Sequence, residues 1–154
     1  MLTVKTYLAP SAIHGIGLFA AETIPANKIV WQYSDHIDKI YSEALFLHLC
    51  QSVNSYTLQH FLNSSYKRGG RYFYLTDNSR FINHADNSNI AFIDDYREVS
   101  IRGINTGEEI LENYLLSYDT SDFFFQEIVN PDPMSFLSKM MQLDKENAPH
   151  QNLS

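Results

Sequence analysis

The stretch Arg80-Phe81-Ile82-Asn83-His84 is the most informative segment of the sequence. Two apolar residues are followed there by an amide and an imidazole, and Asn87 and Asn89 come shortly afterwards. So many side-chain donors and acceptors in a short polar stretch fit a binding site, although asparagines also satisfy the backbone of ordinary loops. The stretch therefore has two readings, a binding segment or an Asx-rich loop.

Two further motifs lie on either side of this stretch. Upstream is Gly15-Ile16-Gly17-Leu18-Phe19-Ala20, and downstream is Gly107-Glu108-Glu109-Ile110, which leads to Asn113-Tyr114. Paired glycines alone indicate a tight turn or a close approach of two backbones. They are not a dinucleotide-binding fingerprint, because the third glycine is absent and a strand follows instead of a helix. The order of the three motifs is more informative than any one of them.

The hydrophobic pattern predicts a mainly β chain with a few helices, an α+β class. Short β-prone stretches occur near both ends of the first 118 residues, separated by glycine and proline turns. A helix is predicted from Ser42, as N-cap, to about Ser52, with a further turn near Leu58 to Leu62. Another helix is predicted from Pro133 to about Lys145.

Composition limits the classes of function. The chain has 154 residues, enough for one domain, and a formal net charge of -7. An acidic chain lacks the basic surface of a nucleic-acid binder and attracts basic proteins instead.

Cys50 is the only cysteine, which excludes an internal disulfide and a cysteine-rich zinc cluster. No run of residues is apolar enough for a membrane helix, so we expect a cytoplasmic protein, or a nuclear one if its substrate is chromatin.

Taken together, the three motifs resemble the SET-domain family of protein lysine methyltransferases. The family patterns are G-x-G, then R-F-I-N-H-S-C-N-P-N, then G-E-E-L ending in D-Y, and the letters R-F-I-N-H match without a change. The resemblance implies a SET-type β-clip fold of small antiparallel sheets with a knot-like C-terminal threading and a C-terminal helix. It implies a single domain over residues 1–154, with a family core at 12–118, a variable helical insert at 41–63, a C-terminal segment at 119–145 and a flexible tail at 146–154.

The resemblance also implies roles for individual residues. Tyr114 takes the place of the catalytic tyrosine. The cofactor would be S-adenosyl-L-methionine, and the residues expected to bind it are Ile16, Gly17, Leu18, Tyr74, Asn83 and His84. A channel for the substrate lysine would be lined by Tyr72, Glu112 and Phe124. Tyr72 and Tyr74 are two residues apart on a predicted strand and so share a face, and each has an ordinary core position as its alternative.

The sequence departs from the family pattern at several positions. Ala85, Asp86 and Ser88 replace a serine, a cysteine and a proline, and no cysteine cluster follows. We therefore predict no metal, and the six histidines show no ligand spacing either. Asn113 replaces the aspartate of D-Y, and Glu112 stands where an aromatic residue often limits the number of methyl groups added.

The leading hypothesis is a methyltransferase that acts on a lysine side chain of a basic protein, such as a histone. The alternative is a non-catalytic SET-like module that binds a peptide or another subunit. A hydrolase is not supported, because the sequence contains no G-x-S-x-G motif. We expect no direct nucleic-acid or membrane partner, and a homodimer stays open because Met140 and Met141 form an apolar stripe.

Overall fold

The computed structural model describes residues 1–122, and the predicted helix at 133–145, the tail, Phe124 and the Met140-Met141 stripe lie outside them. Within the described residues the chain forms three α-helices and one 3-10 helix: α1 (Glu43–Ser52), α2 (Ser55–Asn63), α3 (Tyr114–Ser117) and the 3-10 helix (Asn78–Phe81). The strands are β1 (Thr6–Pro10), β2 (Ile16–Ala20), β3 (Ile29–Gln32), β4 (Lys39–Ser42), β5 (Ser65–Arg68), β6 (Arg71–Tyr74), β7 (Asn83–His84), β8 (Ile90–Asp94), β9 (Arg97–Ser100) and β10 (Leu111–Glu112).

These strands form three small sheets. Strands β1 and β2 make an antiparallel pair, and β4-β6-β5 make a three-stranded antiparallel sheet. The largest sheet has the order β3-β9-β8-β10-β7, in which β10 runs parallel to both of its neighbours. The predicted class, mainly β with a few helices, is confirmed. The knot-like threading stays a prediction.

The helical insert follows from its caps and its apolar face. The hydroxyl of Ser42 accepts a hydrogen bond from the Leu45 amide at 3.3 Å, as predicted for an N-cap of α1. Asn54 caps α2 in the same way through the Thr57 amide at 2.9 Å, so α2 is a full helix where the sequence predicted only a turn. Both helices pack their apolar side chains on one face of β6.

Residues Lys67-Arg68-Gly69-Gly70 carry a turn signal in the sequence, and the turn that forms is shorter than this signal predicts. Strand β5 continues through Arg68, and only Gly69 and Gly70 make the turn, with φ angles of +57° and +73°. These left-handed angles favour glycine. Both glycine amides donate to the carboxylate of Asp119, at 3.0 and 2.8 Å, and this contact ties the hairpin to the segment after α3.

Buried side chains form three groups, each beneath one part of the fold. An aliphatic group lies between the β1-β2 pair and the large sheet: Leu18, Ala20, Ile24, Val30, Ile82, Ile90, Ile104 and Ile110. A second group joins the helices to β6: Phe46, Cys50, Leu58, Leu62 and Tyr72. A third, largely aromatic group lies on the other face of β6: Trp31, Tyr66, Phe73 and Leu75. In residues 1–122, no helix has the length and apolar character needed to span a bilayer.

Candidate active site

The fold brings the three sequence motifs together. Strand β10 pairs with β7, so that Leu111 lies beside Asn83 and Glu112 lies beside His84. The amide of Ile110 donates to the carbonyl of Leu18 at 2.7 Å, which joins the third motif to the first. The glycine motif, the Asn-His pair and the strand before Tyr114 therefore form one continuous site.

The side-chain amide of Asn83 holds the glycine motif in place. Its Nδ2 donates to the carbonyls of His14 at 3.0 Å and Ile16 at 3.3 Å, and to Oε1 of Glu109 at 2.9 Å. The Ser11 hydroxyl donates to the other Glu109 oxygen at 3.0 Å. Glu109 is thus a structural link among the three motifs that the sequence analysis did not identify.

Gly17 leaves room for this contact. A Cβ atom at position 17 would lie 2.2 Å from Oε1 of Glu109, far inside van der Waals contact. The absence of a side chain therefore allows the Glu109 carboxylate to lie against the backbone. The neighbouring Leu18 is fully buried in the aliphatic group, whereas the Ile16 side chain is half exposed.

Asn89 fixes the position of β10. Its Nδ2 donates to the Glu109 carbonyl at 2.7 Å, and its Oδ1 accepts from the Leu111 amide at 2.8 Å. The buried side chain thus satisfies backbone groups that a strand would otherwise pair. Two asparagines of this stretch therefore differ in position. Asn89 is buried and holds β10, whereas Asn83 lies at the surface of the site and contacts the glycine motif.

Tyr114 begins α3 at the centre of the site. Its hydroxyl donates to the Ile82 carbonyl, and its amide donates to Nδ1 of His84 at 3.2 Å. Burial raises the pKa of Tyr114, and the negative charges of Glu112, Glu98 and Asp122 raise it further. The phenol consequently stays protonated and donates a hydrogen bond at neutral pH.

A stack of aromatic rings extends from Tyr114 into the protein. The Tyr114 ring lies 4.7 Å from that of Tyr118, which lies 4.6 Å from that of Tyr66, and the stack ends on Phe73. Tyr66 and Tyr118 were not among the predicted site residues. Their signal in the sequence is weak, because isolated tyrosines are usually core or surface residues.

Tyr72 and Tyr74 share one face of β6, as predicted, but this face turns toward the helices. The Tyr72 ring stacks on Phe46 at 3.8 Å, and the Tyr74 ring lies 4.9 Å from Phe61. Phe73, between them, points to the opposite face and joins the ring stack. The structure thus places Tyr72 and Tyr74 in the helical cluster, apart from the stack of Tyr114.

Two carboxylates lie next to this ring stack. Glu112, predicted as a channel residue, is 3% exposed and accepts a hydrogen bond from the Tyr118 hydroxyl at 2.9 Å. Glu98, which the sequence analysis missed, is 4% exposed. Burial is the first cause of a raised pKa in both carboxyl groups, and for Glu98 the charge of Glu112 adds to it. The sequence signal for Glu98 is weak, because the apolar residue of β9, Val99, lies on the opposite face from Glu98 and Ser100.

Both carboxylates line a small cavity with about 10 Å³ of room for the centre of a water molecule. Its walls are Trp31, Tyr66, Leu75, Ser79, Ile82, Glu98, Glu112 and Tyr118. A larger open cleft of about 350 Å³ near Gln32 and Tyr33 includes no residue of the three motifs. Across residues 1–122, no group of three or more His, Cys, Asp or Glu side chains is placed to hold a metal ion.

The family model of the SET domain matches residues 15–115, well over half of the chain. The chain belongs to the SET domain family. The matched range begins at the glycine motif and ends just after Tyr114, so it contains all three sequence motifs. No curated protein matches the sequence.

Solved structures with the same fold include the Polycomb Repressive Complex 2 of Chaetomium thermophilum. An autoinhibited form bound to S-adenosylmethionine is 21% identical, with a TM-score of 0.57 over 83% of this chain and 17% of that one. A humanized mutant bound to an inhibitor is 23% identical, with a TM-score of 0.55 over 75% and 15% of the two chains. The present chain thus spans about one sixth of the length of these structures, and the likeness establishes the SET fold.

Proposed function

We propose that this chain is an S-adenosylmethionine-dependent protein-lysine N-methyltransferase. The observation that carries the proposal is the position of the Tyr114 hydroxyl. This hydroxyl donates to the carbonyl of Ile82, the residue directly before Asn83-His84. Ile82 also lines the cavity that includes Glu112, so the hydroxyl lies between the Asn-His pair and that cavity. A partly buried phenol between a polar surface site and an acidic cavity suits the transfer of a group between two pockets.

The polar groups at the surface of the site fit the amino acid part of such a cofactor. Among residues 1–122, no hydrogen bond reaches Oδ1 of Asn83, which is free to accept one from an ammonium group. A Cβ at Gly15 would meet no atom within 4 Å, so the turn borders open space. The residues that would hold the cofactor are Ile16, Gly17 and Leu18 through their backbone, and Asn83 and His84. Bound there, S-adenosylmethionine would supply a methyl group on a positively charged sulfur.

The protein's own contribution to this reaction is positioning and electrostatics. The neutral Tyr114 hydroxyl donates to the Ile82 carbonyl, and its partially negative oxygen would stabilise a positively charged methyl group or ammonium bound nearby. Since the pKa of Tyr114 is raised, this hydroxyl does not act as the base at neutral pH. Effective methyl transfer in such a site depends mainly on a straight approach and on desolvation of the amine.

The substrate we propose is a lysine of a basic protein, such as a histone. A net charge of -7 attracts basic partners at long range. Within the site, Glu98 and Glu112 give the cavity an acidic end that suits an ammonium group. The alternative, a non-catalytic SET-like binding module, draws its support from the same departures from the family pattern, Glu112 and Asn113.

Transfer of label from isotopically labelled S-adenosylmethionine to a panel of lysine-rich proteins tests the proposal. With the native chain we expect methyl-lysine after acid hydrolysis of the labelled protein. With Asn83→Ala we expect weaker cofactor binding and loss of the transferred label. The matched control is Asn87→Ala, an exposed asparagine of the same segment. Cofactor binding by the native chain without transfer to any protein supports the binding module, and the absence of cofactor binding excludes the enzyme.

A further inference from the structure

We propose that Glu98 and Glu112 form an ammonium pocket at the inner end of the lysine site, and that this pair accepts the proton that a substrate lysine loses before methylation. The inference rests on the proposed methyltransferase function. It goes beyond that function by assigning the proton acceptor to two residues of this chain.

The sheet places the two carboxylates side by side. Glu98 on β9 pairs with Phe92 of the central strand β8, and Glu112 on β10 pairs with Ile90 from the other side. Phe92 and Ile90 are two residues apart and therefore share a face of the sheet. Their cross-strand partners project to that same face, so the two carboxyl groups converge above β8.

The cavity between them has the size of one small cationic group. Its volume of about 10 Å³ is close to the minimum that holds one water molecule. A primary ammonium group has nearly the same dimensions as water. The cavity also includes Ile82 in its wall, and the carbonyl of Ile82 accepts the Tyr114 hydroxyl. An ammonium in the cavity therefore lies close to the proposed site of transfer.

The cavity wall contains polar atoms that call for a ligand. Within residues 1–122, four of them have no hydrogen-bond partner: Oε1 of Glu98, Oε1 of Glu112, the Tyr66 hydroxyl and the Trp31 indole nitrogen. Buried polar atoms without a partner are costly, and a bound water, ion or ligand group that pairs with them removes this cost. An ammonium group has three N–H donors, and three of these four atoms are oxygens that can accept them.

Two carboxyl groups that line one buried cavity repel each other when both are ionised, so the pair favours the state in which one of them is protonated. Burial and mutual repulsion raise the pKa of Glu98, and burial raises that of Glu112, which makes the ionised member a stronger base than an exposed glutamate. The pair thus carries one negative charge that can take up a second proton.

The charged groups around the pair leave this charge available. The guanidinium of Arg68 lowers the pKa of both carboxyl groups, but it also faces Asp95 at 3.3 Å and donates to the Ser117 carbonyl. The Met1 amino group also favours the ionised form of Glu98. The other titratable groups that face the pair are phenols with raised pKa: Tyr66, Tyr114 and Tyr118.

In the proposed reaction, proton transfer from the substrate lysine precedes methyl transfer. Lysine binds as R–NH3⁺, and one N–H proton moves to the ionised carboxylate, which leaves a neutral amine and a second carboxylic acid. Burial favours this transfer, because it lowers the pKa of the amine and raises that of the carboxyl group. The amine lone pair then forms the N–C bond to the methyl carbon as the S–C bond breaks, and sulfur keeps that electron pair. Solvent takes the carboxyl proton when the methylated ammonium leaves.

The pH dependence of methyl transfer to a mixture of core histones tests this role. We expect Glu98→Gln and Glu112→Gln to lower the rate at pH 7 by about 100-fold, the range of one general base. The loss should shrink toward pH 10, where free lysine itself begins to lose its proton. A role limited to folding predicts an equal loss at every pH. Glu22→Gln, a carboxylate outside the site, serves as control, and cofactor affinity should be unchanged in all three variants.

Infrared spectroscopy gives a measurement that does not depend on activity. The native protein at pH 7 should show the C=O band of a protonated buried carboxyl group, and added n-butylamine, a mimic of the lysine side chain, should strengthen it. Both effects should vanish in Glu112→Gln. A native enzyme that transfers methyl groups but shows neither the band change nor the pH-dependent loss overturns the ammonium pocket alone. A band change without any methyl transfer supports the pocket and overturns the proposed function.

Discussion

Replacing Gly17 with alanine tests the link that joins the three motifs. The new Cβ would lie 2.2 Å from Oε1 of Glu109 and 2.8 Å from its Cδ, so the carboxylate must move. It would then lose the hydrogen bonds from Asn83 at 2.9 Å and Ser11 at 3.0 Å. Bonds to a charged group contribute at least about 1.5 kcal/mol each, so Gly17→Ala should lower the free energy of unfolding by about 3 kcal/mol.

The assay is equilibrium unfolding in urea, with Gly103→Ala as the matched control. A Cβ at Gly103 meets no atom within 4 Å, and its stability should change by less than about 0.5 kcal/mol. The double variant Gly17→Ala with Glu109→Ala removes the clash, so its cost should fall short of the sum of the single costs by about 1 kcal/mol or more. Equal stability of the Gly17 and Gly103 variants, or strict additivity in the double variant, would refute the proposed contact.

Three further predictions concern stability and reactivity. Asn89→Ala should cost about 1 to 3 kcal/mol in urea unfolding, because it leaves the partly buried Leu111 amide without its acceptor, while Asn87→Ala should change little. Because the pKa of Glu98 is raised in the folded protein, Glu98 stabilises the fold at pH values below the pKa of an unfolded glutamate. This contribution is lost as the pH rises toward the folded pKa, by at most about 1.4 kcal/mol per pH unit. Glu98→Gln should flatten that dependence at pH values above the pKa of an unfolded glutamate, about 4.3; an unchanged slope contradicts the assignment. Burial raises the pKa of Cys50 to about 11, so iodoacetamide at pH 8 should modify it only as the protein unfolds; rapid labelling of the folded protein excludes this.

The elements that sequence predicted well depend on local signals. Helix α1 has a Ser42 cap and apolar residues at helical spacing, and both are properties of adjacent residues. Strand β5 was missed because a buried lysine interrupts its apolar pattern. Lys67 is buried there only because Glu43 pairs with it at 2.6 Å from a distant part of the chain. No local pattern predicts such a partner.

The motifs of the candidate site could be recognised in the sequence, but their geometry could not. The motif resemblance named Asn83, His84 and Tyr114, which the fold brings together. It could not say which face of β6 turns toward Tyr114, because both faces carry aromatic residues. Nor could it show that β10 is only two residues long, since the side chain of Asn89 takes the place of a backbone partner there.

The most direct test of the account compares methyl transfer by Tyr114→Phe with transfer by Tyr56→Phe. Both variants lose one hydroxyl, but Tyr56 is 89% exposed and lies outside the site. We expect the native chain to form methyl-lysine. Tyr114→Phe should lower the rate by about 100-fold or more without a change in cofactor affinity, and Tyr56→Phe should keep the native rate. Equal rates in the two variants, or no methyl-lysine from the native chain, would contradict the central claim that Tyr114 positions a lysine for methylation.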